Sequence, residues 1–148
     1  MTARSHLIKA VIILASAISL PGYAKDLQAS EVPQAVPQYV EQTYPQSSNI
    51  EWDYDKDDSY YEADFKRLGN EIEVKLTKDG QLIVAKEDIE KKDIPELIQN
   101  AILKQFPKAR ILDANRIVKP NAITWDVGLK LDNGQYHNAY YSDAGQPL

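Results

Sequence analysis

Cysteine is absent from this 148-residue sequence, which excludes disulfides, thiolate metal sites and a lipid-anchoring cysteine. Beyond Leu20 no run is apolar enough to cross a bilayer, which takes about 20 such residues. An excess of positive charge is missing too. Setting aside the first 24 residues removes Arg4 and Lys9, leaving 15 basic against 22 acidic residues and a formal charge of −7. That balance argues against nucleic acid or an anionic membrane as partner, because phosphate binding needs a positive patch. Histidine is scarce, His137 being the only one after residue 24, and no serine sits in a G-x-S-x-G elbow. General acid–base catalysis would need a carboxyl group in a low-dielectric pocket, and nothing in the sequence marks one. The expectation is a chain that is not an enzyme and that uses no metal and no cofactor.

What is present begins with a tripartite leader. Arg4 and Lys9 form a basic start, Ala10 to Leu20 is an uncharged apolar run, and Pro21-Gly22-Tyr23-Ala24 places small residues at the minus-three and minus-one positions of a cleavage site. The run is too short to span a bilayer. Residues 1–24 therefore read as a cleavable signal peptide, with cleavage after Ala24 and a periplasmic or secreted mature chain. Export without disulfides suits a bacterial periplasm or exterior.

The mature part says the same thing twice. Val32-Pro33-Gln34-Ala35-Val36 through Tyr44-Pro45 aligns without a gap on Ile94-Pro95-Glu96-Leu97-Ile98 through Phe106-Pro107, 62 residues later. A fixed period of that length marks a duplicated supersecondary unit. Ile94, Leu97, Ile98, Ala101 and Ile102 recur at helical spacing, so one face can cover a sheet. Asp93 with Glu96 resembles a capping box, Pro95 fits the first turn, and Pro107 stops the helix. The first copy repeats the stripe with Val32, Ala35, Val36, Tyr39, Val40 and Tyr44. Its Pro37, standing where the second copy has Gln99, should kink the helix or delay its start.

After each helix the apolar period drops to two. Ile50, Trp52 and Tyr54, then Tyr61, Ala63 and Phe65, then Ile72, Val74 and Leu76, alternate with polar residues; Ile123, Trp125, Val127, Leu129 and Leu131 do so in the second copy. These are half-buried antiparallel strands with one wet face. Asp79-Gly80 and Asp132-Asn133-Gly134 are among the turns between them. The expected fold is α+β, built of two tandem repeats, residues 25–88 and 89–148, each a helix packed on an antiparallel sheet of up to four strands.

The unit Val32-Pro33-x-x-Val36-x-x-x-Val40-x-x-x-Tyr44-Pro45, the alternating strands and the Asp79-Gly80-Gln81-Leu82 turn are matched by Ile94-Pro95 to Phe106-Pro107 and Asp143-Ala144-Gly145-Gln146. This pattern resembles the PepSY-like, β-lactamase-inhibitor-like family of exported bacterial proteins and covers nearly all of the mature chain. The resemblance implies a tandem helix-plus-sheet protein whose curved sheet clasps another protein, and a peptidase or other hydrolase as the partner class. It supplies no inhibitory motif to place residue by residue.

Three features bear on a site. Asp53-x-Asp55-x-Asp57, with Asp64 eleven residues after Asp53, imitates a calcium loop, but Asp58 stands where such loops need glycine; a charged hairpin is the plainer reading. His137, replacing Ile72 on an inward strand face, reads as a packed core histidine. The open sheet face remains. Its predicted residues in the first copy include Tyr60, Glu62, Asp64, Glu71 and Glu73, and in the second Tyr136, Asn138 and Tyr140. Acids would steer a protein or peptide and tyrosines, stiff and amphipathic, would anchor it. The alternative is an acidic cation-binding or envelope-stress protein using the Asp53 to Asp64 region; a hydrolase would require a pocket that juxtaposes carboxylates.

Overall fold

A computed structural model describes residues 26–148; the expected signal peptide lies outside them. Helix α1 (Ala35–Thr43) is followed by strands β1 (Ser48–Asp55), β2 (Tyr60–Arg67), β3 (Asn70–Leu76) and β4 (Leu82–Asp88). Helix α2 (Glu96–Gln105) leads to β5 (Arg110–Lys119), β6 (Ala122–Lys130) and β7 (Tyr136–Ser142). Short 3-10 turns at Ala29–Glu31 and Lys91–Asp93 precede the two helices.

The expectation of two separate sheets of up to four strands is corrected. All seven strands form one antiparallel sheet in the order β1 to β7. Continuity runs through β4 and β5, where Ala85 pairs with Val118, Lys86 with Ile117, Glu87 with Arg116 and Asp88 with Asn115. Were each sheet to stop at its own boundary, β4 and β5 would both present a row of unpaired N–H and C=O groups. Joining the edges satisfies both rows.

Period two sets the faces. Trp52, Ala63, Phe65, Ile72, Val74, Leu76 and Ala85 point to one side and pack with Val36 and Val40 of α1. Ala114, Trp125, Val127, Leu129, Ala139 and Tyr141 pack with Ile94 and with Ile98 and Ile102 of α2. Ala114 and Val118 lie on the same side of β5, and Val118 joins the first cluster. Both helices therefore cover one face and leave the other bare. Where the clusters meet, Glu87 accepts from the Tyr44 hydroxyl at 3.1 Å and pairs with Arg116 at 3.1 Å. Burial first and the Glu87 charge second push the Tyr44 hydroxyl well above its ordinary value.

Three local readings change and a fourth, at Pro37, is narrowed. Leu97, placed in the apolar stripe, is 54 % exposed, because the sheet meets only the narrower arc through Ile94, Ile98 and Ile102. Asp93 ends the 3-10 turn, so no capping box forms: Pro95 is the N-cap residue of α2, and the Gln99 side chain donates to the Ile94 carbonyl at 2.7 Å. Pro37 is the third residue of α1, which starts at Ala35, one position later on the 62-residue alignment than α2 at Glu96, so of the two expected effects the delayed start is the one observed; there its missing N–H has no intrahelical duty. His137 faces the helix side, opposite Leu129, yet it is exposed, its ring 5.0 Å from that of Phe106 and tilted 52° to it. It lies at the margin of the second core cluster, against which Phe106 packs.

Candidate functional site: the open face of the sheet

Alternation puts Glu51 and Asp53 of β1, Tyr60, Glu62, Asp64 and Lys66 of β2, and Glu71, Glu73 and Lys75 of β3 on the uncovered face. Register brings them together. Asp53 stands opposite Glu62, Glu51 opposite Asp64, and Asp64 opposite Glu73. Carboxylate oxygens of Glu62, Asp64 and Glu73 lie within 4.8 Å of one another. Lys75 answers two of the three, its Nζ lying 3.4 Å from Glu62 and 3.1 Å from Glu73, and it sits 5.0 Å from the Tyr60 ring centroid. Burial alone would lower Lys75, but its hydrogen bond to Glu73 and the Glu62 and Glu73 charges outweigh it and hold the ammonium well above its usual range. Lysine thus already neutralises two of the three carboxylates that a cation would use.

Among the described residues no basic side chain pairs with the third carboxyl, Asp64. Partial burial, then the charges of Glu62, Glu73 and Asp53, push it up to about 6. Glu62 is raised by burial first, with Lys75 opposing, and Asp53 by burial and then by the neighbouring Asp26 carboxylate. Glu51, Asp64, Glu73, Lys66 and Lys86 surround a shallow depression of about 530 Å3. The array stores electrostatic repulsion and presents a negative surface.

The apparent calcium loop is a hairpin. Asp55 ends β1, and its Oδ1 accepts the Asp57 and Asp58 amides, each at 2.9 Å. Those hydrogen bonds, Asp58's first, lower its carboxyl pKa and commit the group to closing the turn.

At the other end of the sheet Tyr136, Asn138 and Tyr140 stand on β7, opposite Lys130, Gly128 and Asp126. Tyr136 is 53 % and Tyr140 49 % exposed, and Lys130 lies 5.7 Å from the Tyr136 ring. Gly128 is buried on this face because the Asp113 carboxylate lies over it, 2.7 Å from where a Cβ would stand. Asp126 is raised by burial, then by Asp113, with Lys86 opposing.

All eight residues singled out in the sequence lie on the open face, Tyr60, Glu62, Asp64, Glu71 and Glu73 in one group and Tyr136, Asn138 and Tyr140 in another. Val84, Lys86 and Asp88 of β4 and Asn115 and Ile117 of β5 fill the space between, paired or alternating with Glu73 on one side and Thr124 and Asp126 on the other. Sequence reasoning missed them because it treated the halves as separate sheets; the alternation of Val84, Lys86 and Asp88 was the available signal. Six inter-strand spacings of about 4.8 Å give the face a width of about 29 Å. No helix among the described residues is long and apolar enough to cross a membrane.

Solved structures of similar fold include a BLIP-like protein from Bacteroides fragilis NCTC 9343, 21 % identical with a TM-score of 0.66 and 86 % of each chain covered. A DUF2874 family protein from Bacteroides ovatus ATCC 8483 is 19 % identical with a TM-score of 0.63, covering 79 % of this chain and 84 % of that one. A protein described as a putative periplasmic protein, from Bacteroides eggerthii DSM 20697, is 21 % identical with a TM-score of 0.62, covering 79 % and 86 %. No curated protein matches the sequence. The family model described as "Putative beta-lactamase-inhibitor-like, PepSY-like" matches residues 22–84 and again 83–139. The chain belongs to this PepSY-like family.

Proposed function

We propose that the protein is a non-enzymatic exported binding protein of the bacterial envelope that holds a protein or peptide against its open sheet face, as an inhibitor or modulator of a peptidase or other hydrolase. The observation that carries this reading is the face itself: seven strands wide, uncovered, acidic over β1 to β3 and bearing two half-exposed tyrosines on β7. Long-range charge accelerates encounter, whereas rigid aromatic contact slows release. Placement in the periplasm or outside the cell rests on the leader and agrees with the description of the Bacteroides eggerthii protein. Residues 25–88 and 89–148 are on this reading two copies of one ancestral unit, joined in one sheet.

Capture from periplasmic extract with the mature chain, followed by binding kinetics, tests the proposal. Asp64→Asn with Glu71→Gln should slow association and flatten its salt dependence, and Tyr136→Ala or Tyr140→Ala should speed dissociation. A partner indifferent to all four changes would remove the open face from consideration. One observation favours a second reading, cation binding: the Glu62, Asp64 and Glu73 oxygens share a space 4.8 Å across. Calorimetric titration with calcium separates the two, and the Lys75 ammonium between the carboxylates weighs against heat of binding.

A further inference from the structure

Three turns of the chain share one geometry. Between β3 and β4 the Thr77 amide donates to the Gln81 carbonyl at 2.9 Å and the Gly80 amide to the Thr77 carbonyl at 2.9 Å. Between β6 and β7 the Leu131 amide donates to Gln135 at 2.8 Å and the Gly134 amide to Leu131 at 2.9 Å; after β7 the Ser142 amide donates to Gln146 at 2.8 Å and the Gly145 amide to Ser142 at 2.9 Å. Gly80, Gly134 and Gly145 all have a left-handed backbone, with φ of 76°, 83° and 75°. The residues before these glycines are Asp79, Asn133 and Ala144.

Two differences set the middle turn apart. The first is cover. A Cβ placed on Gly80 would stand 2.5 Å from the Ala35 carbonyl oxygen of α1, and one on Gly145 would stand 3.2 Å from Leu97 Cγ of α2, whereas Gly134 has nothing within 4 Å. Asp132, Asn133, Gly134 and Gln135 are all exposed. The second difference is the partner of the glutamine amide. In the other two turns a hydroxyl takes it: Gln81 donates to Thr77 Oγ1 and Gln146 to Ser142 Oγ, each at 3.2 Å. Leu131 has no hydroxyl, and the Gln135 amide donates instead to Asn133 Oδ1 at 3.0 Å. That bond folds the Asn133 side chain back over the peptide that carries the Gly134 nitrogen. It also puts an N–H on the oxygen where charge collects when that nitrogen attacks Cγ.

We propose that Asn133 is a self-modification site, converted to aspartate and isoaspartate through a cyclic imide formed with Gly134. Hydroxide takes the Gly134 amide proton, releasing the bond to Leu131, and the nitrogen forms a bond to Asn133 Cγ. Glycine permits this approach because no Cβ crowds the attacking nitrogen. The displaced electron pair gathers on Oδ1 against the Gln135 N–H. It returns as the Cγ–Nδ2 bond breaks, and Nδ2 takes a proton from water and leaves as ammonia. Water then opens the imide. Attack at Cγ yields aspartate, and attack at the main-chain carbonyl yields isoaspartate, whose backbone runs through Cβ and is longer by a carbon.

The product carries a new carboxylate beside Asp132, whose own carboxylate pairs with Lys108 at 3.6 Å. In the isoaspartyl form the longer backbone enters β7 just before Tyr136 of the open face. Asp79 offers the poorer electrophile, a carboxylate, and its glycine lies under Ala35. The site stands apart from the function proposed above and does not depend on it.

The mature protein, incubated at pH 7 and at pH 8, is followed by mass spectrometry of peptides from the three turns, with enzymatic methylation to mark isoaspartate. Asn133 should convert while Asp79 and the other asparagines do not, and the rate should rise about tenfold between the two pH values, as attack by a deprotonated nitrogen requires. Leu131→Thr restores the hydroxyl of the other two turns and should slow conversion about tenfold by drawing the Gln135 amide off Oδ1. In wild type, Asn133 should react in the folded protein at least as fast as in chain unfolded by urea. A folded Asn133 that reacts more slowly than the unfolded one would overturn the proposal, because the turn would then protect the residue, and so would a wild-type rate in folded Leu131→Thr. Should Leu131→Thr fail to fold, the comparison of folded and unfolded wild type decides. Asp64→Asn should leave the rate unchanged, so failure of the open-face reading and failure of this one are told apart.

Discussion

Asp64→Asn should stabilise the protein, and the gain should depend on pH in a direction fixed by the surrounding charges. The wild-type carboxyl is raised from 3.8 to about 6 by partial burial and by Glu62, Glu73 and Asp53. In the unfolded chain it titrates near its ordinary value, so between about pH 4 and 6 the folded state holds the proton more tightly. Ionising Asp64 therefore costs native stability, a cost absent below pH 4 and fully developed above pH 6. At about 1.4 kcal/mol for each pKa unit the ceiling is about 3 kcal/mol. Asp64 is only half-buried, and solvent screening reduces this to about 1 kcal/mol. Asparagine keeps the shape and removes the charge. Urea denaturation of both proteins at pH 8 and at pH 3.5 reads the difference: about 1 kcal/mol in favour of the variant at pH 8, and none at pH 3.5. A variant equal to or less stable than wild type at pH 8 would refute the account, since Asp64 would then have a stabilising partner. Repeating the pH 8 measurement with calcium adds a control, because a bound cation would stabilise the wild type and reverse the ranking.

Trp125→Ala should cost about 3–5 kcal/mol in denaturant unfolding, because the side chain is 3 % exposed and its Nε1 donates to Asp143 at 3.0 Å, whereas Leu97→Ala should stay within about 0.5 kcal/mol. Equal losses in both would mean that Leu97 is packed. Pro37→Gln should leave the melting temperature within about 2 °C of wild type, since the proline stands in the first turn of α1; a clear rise would place it in the helix interior.

The parts of the fold legible in the sequence are those that depend on neighbours along the chain. Val36 and Val40, Ile98 and Ile102, and the alternating Ile72, Val74 and Leu76 declare their faces because a helix or strand repeats every few residues. Leu97 was misplaced because an apolar stripe states what could be buried and leaves the width of the contact open; the sheet under α2 meets a narrower arc than the stripe spans. His137 failed for the related reason that an inward direction near the end of a strand does not guarantee burial: Phe106 meets its ring, yet the residue stays exposed. The union of β4 with β5 was illegible, since strand alternation carries no label for the partner beyond a helix. The open-face residues followed from period two, while the contacts that raise Asp64 required the register of β1, β2 and β3.

Continuity of the sheet changes what the open face can do. With two separate sheets, acids and tyrosines would belong to surfaces free to turn against each other, and a partner touching both would lose entropy in fixing them. Here β4 and β5 hold them in one pleated plane, and on the helix side Glu87 ties Tyr44 from the first half to Arg116 from the second at 3.1 Å each. That polar contact lies where the two core clusters meet and links a side chain of each half through Glu87. A partner long enough to reach from Asp64 to Tyr140 would meet both groups at a preset distance, and engagement of one would present the other at high effective concentration. Arg116→Leu tests the link. Removing the guanidinium leaves Glu87 half-buried with only the Tyr44 hydroxyl, and loosening at the β4–β5 seam should appear as faster amide exchange at Lys86 and Ile117. Unchanged exchange there would mean that backbone pairing alone sets the plane.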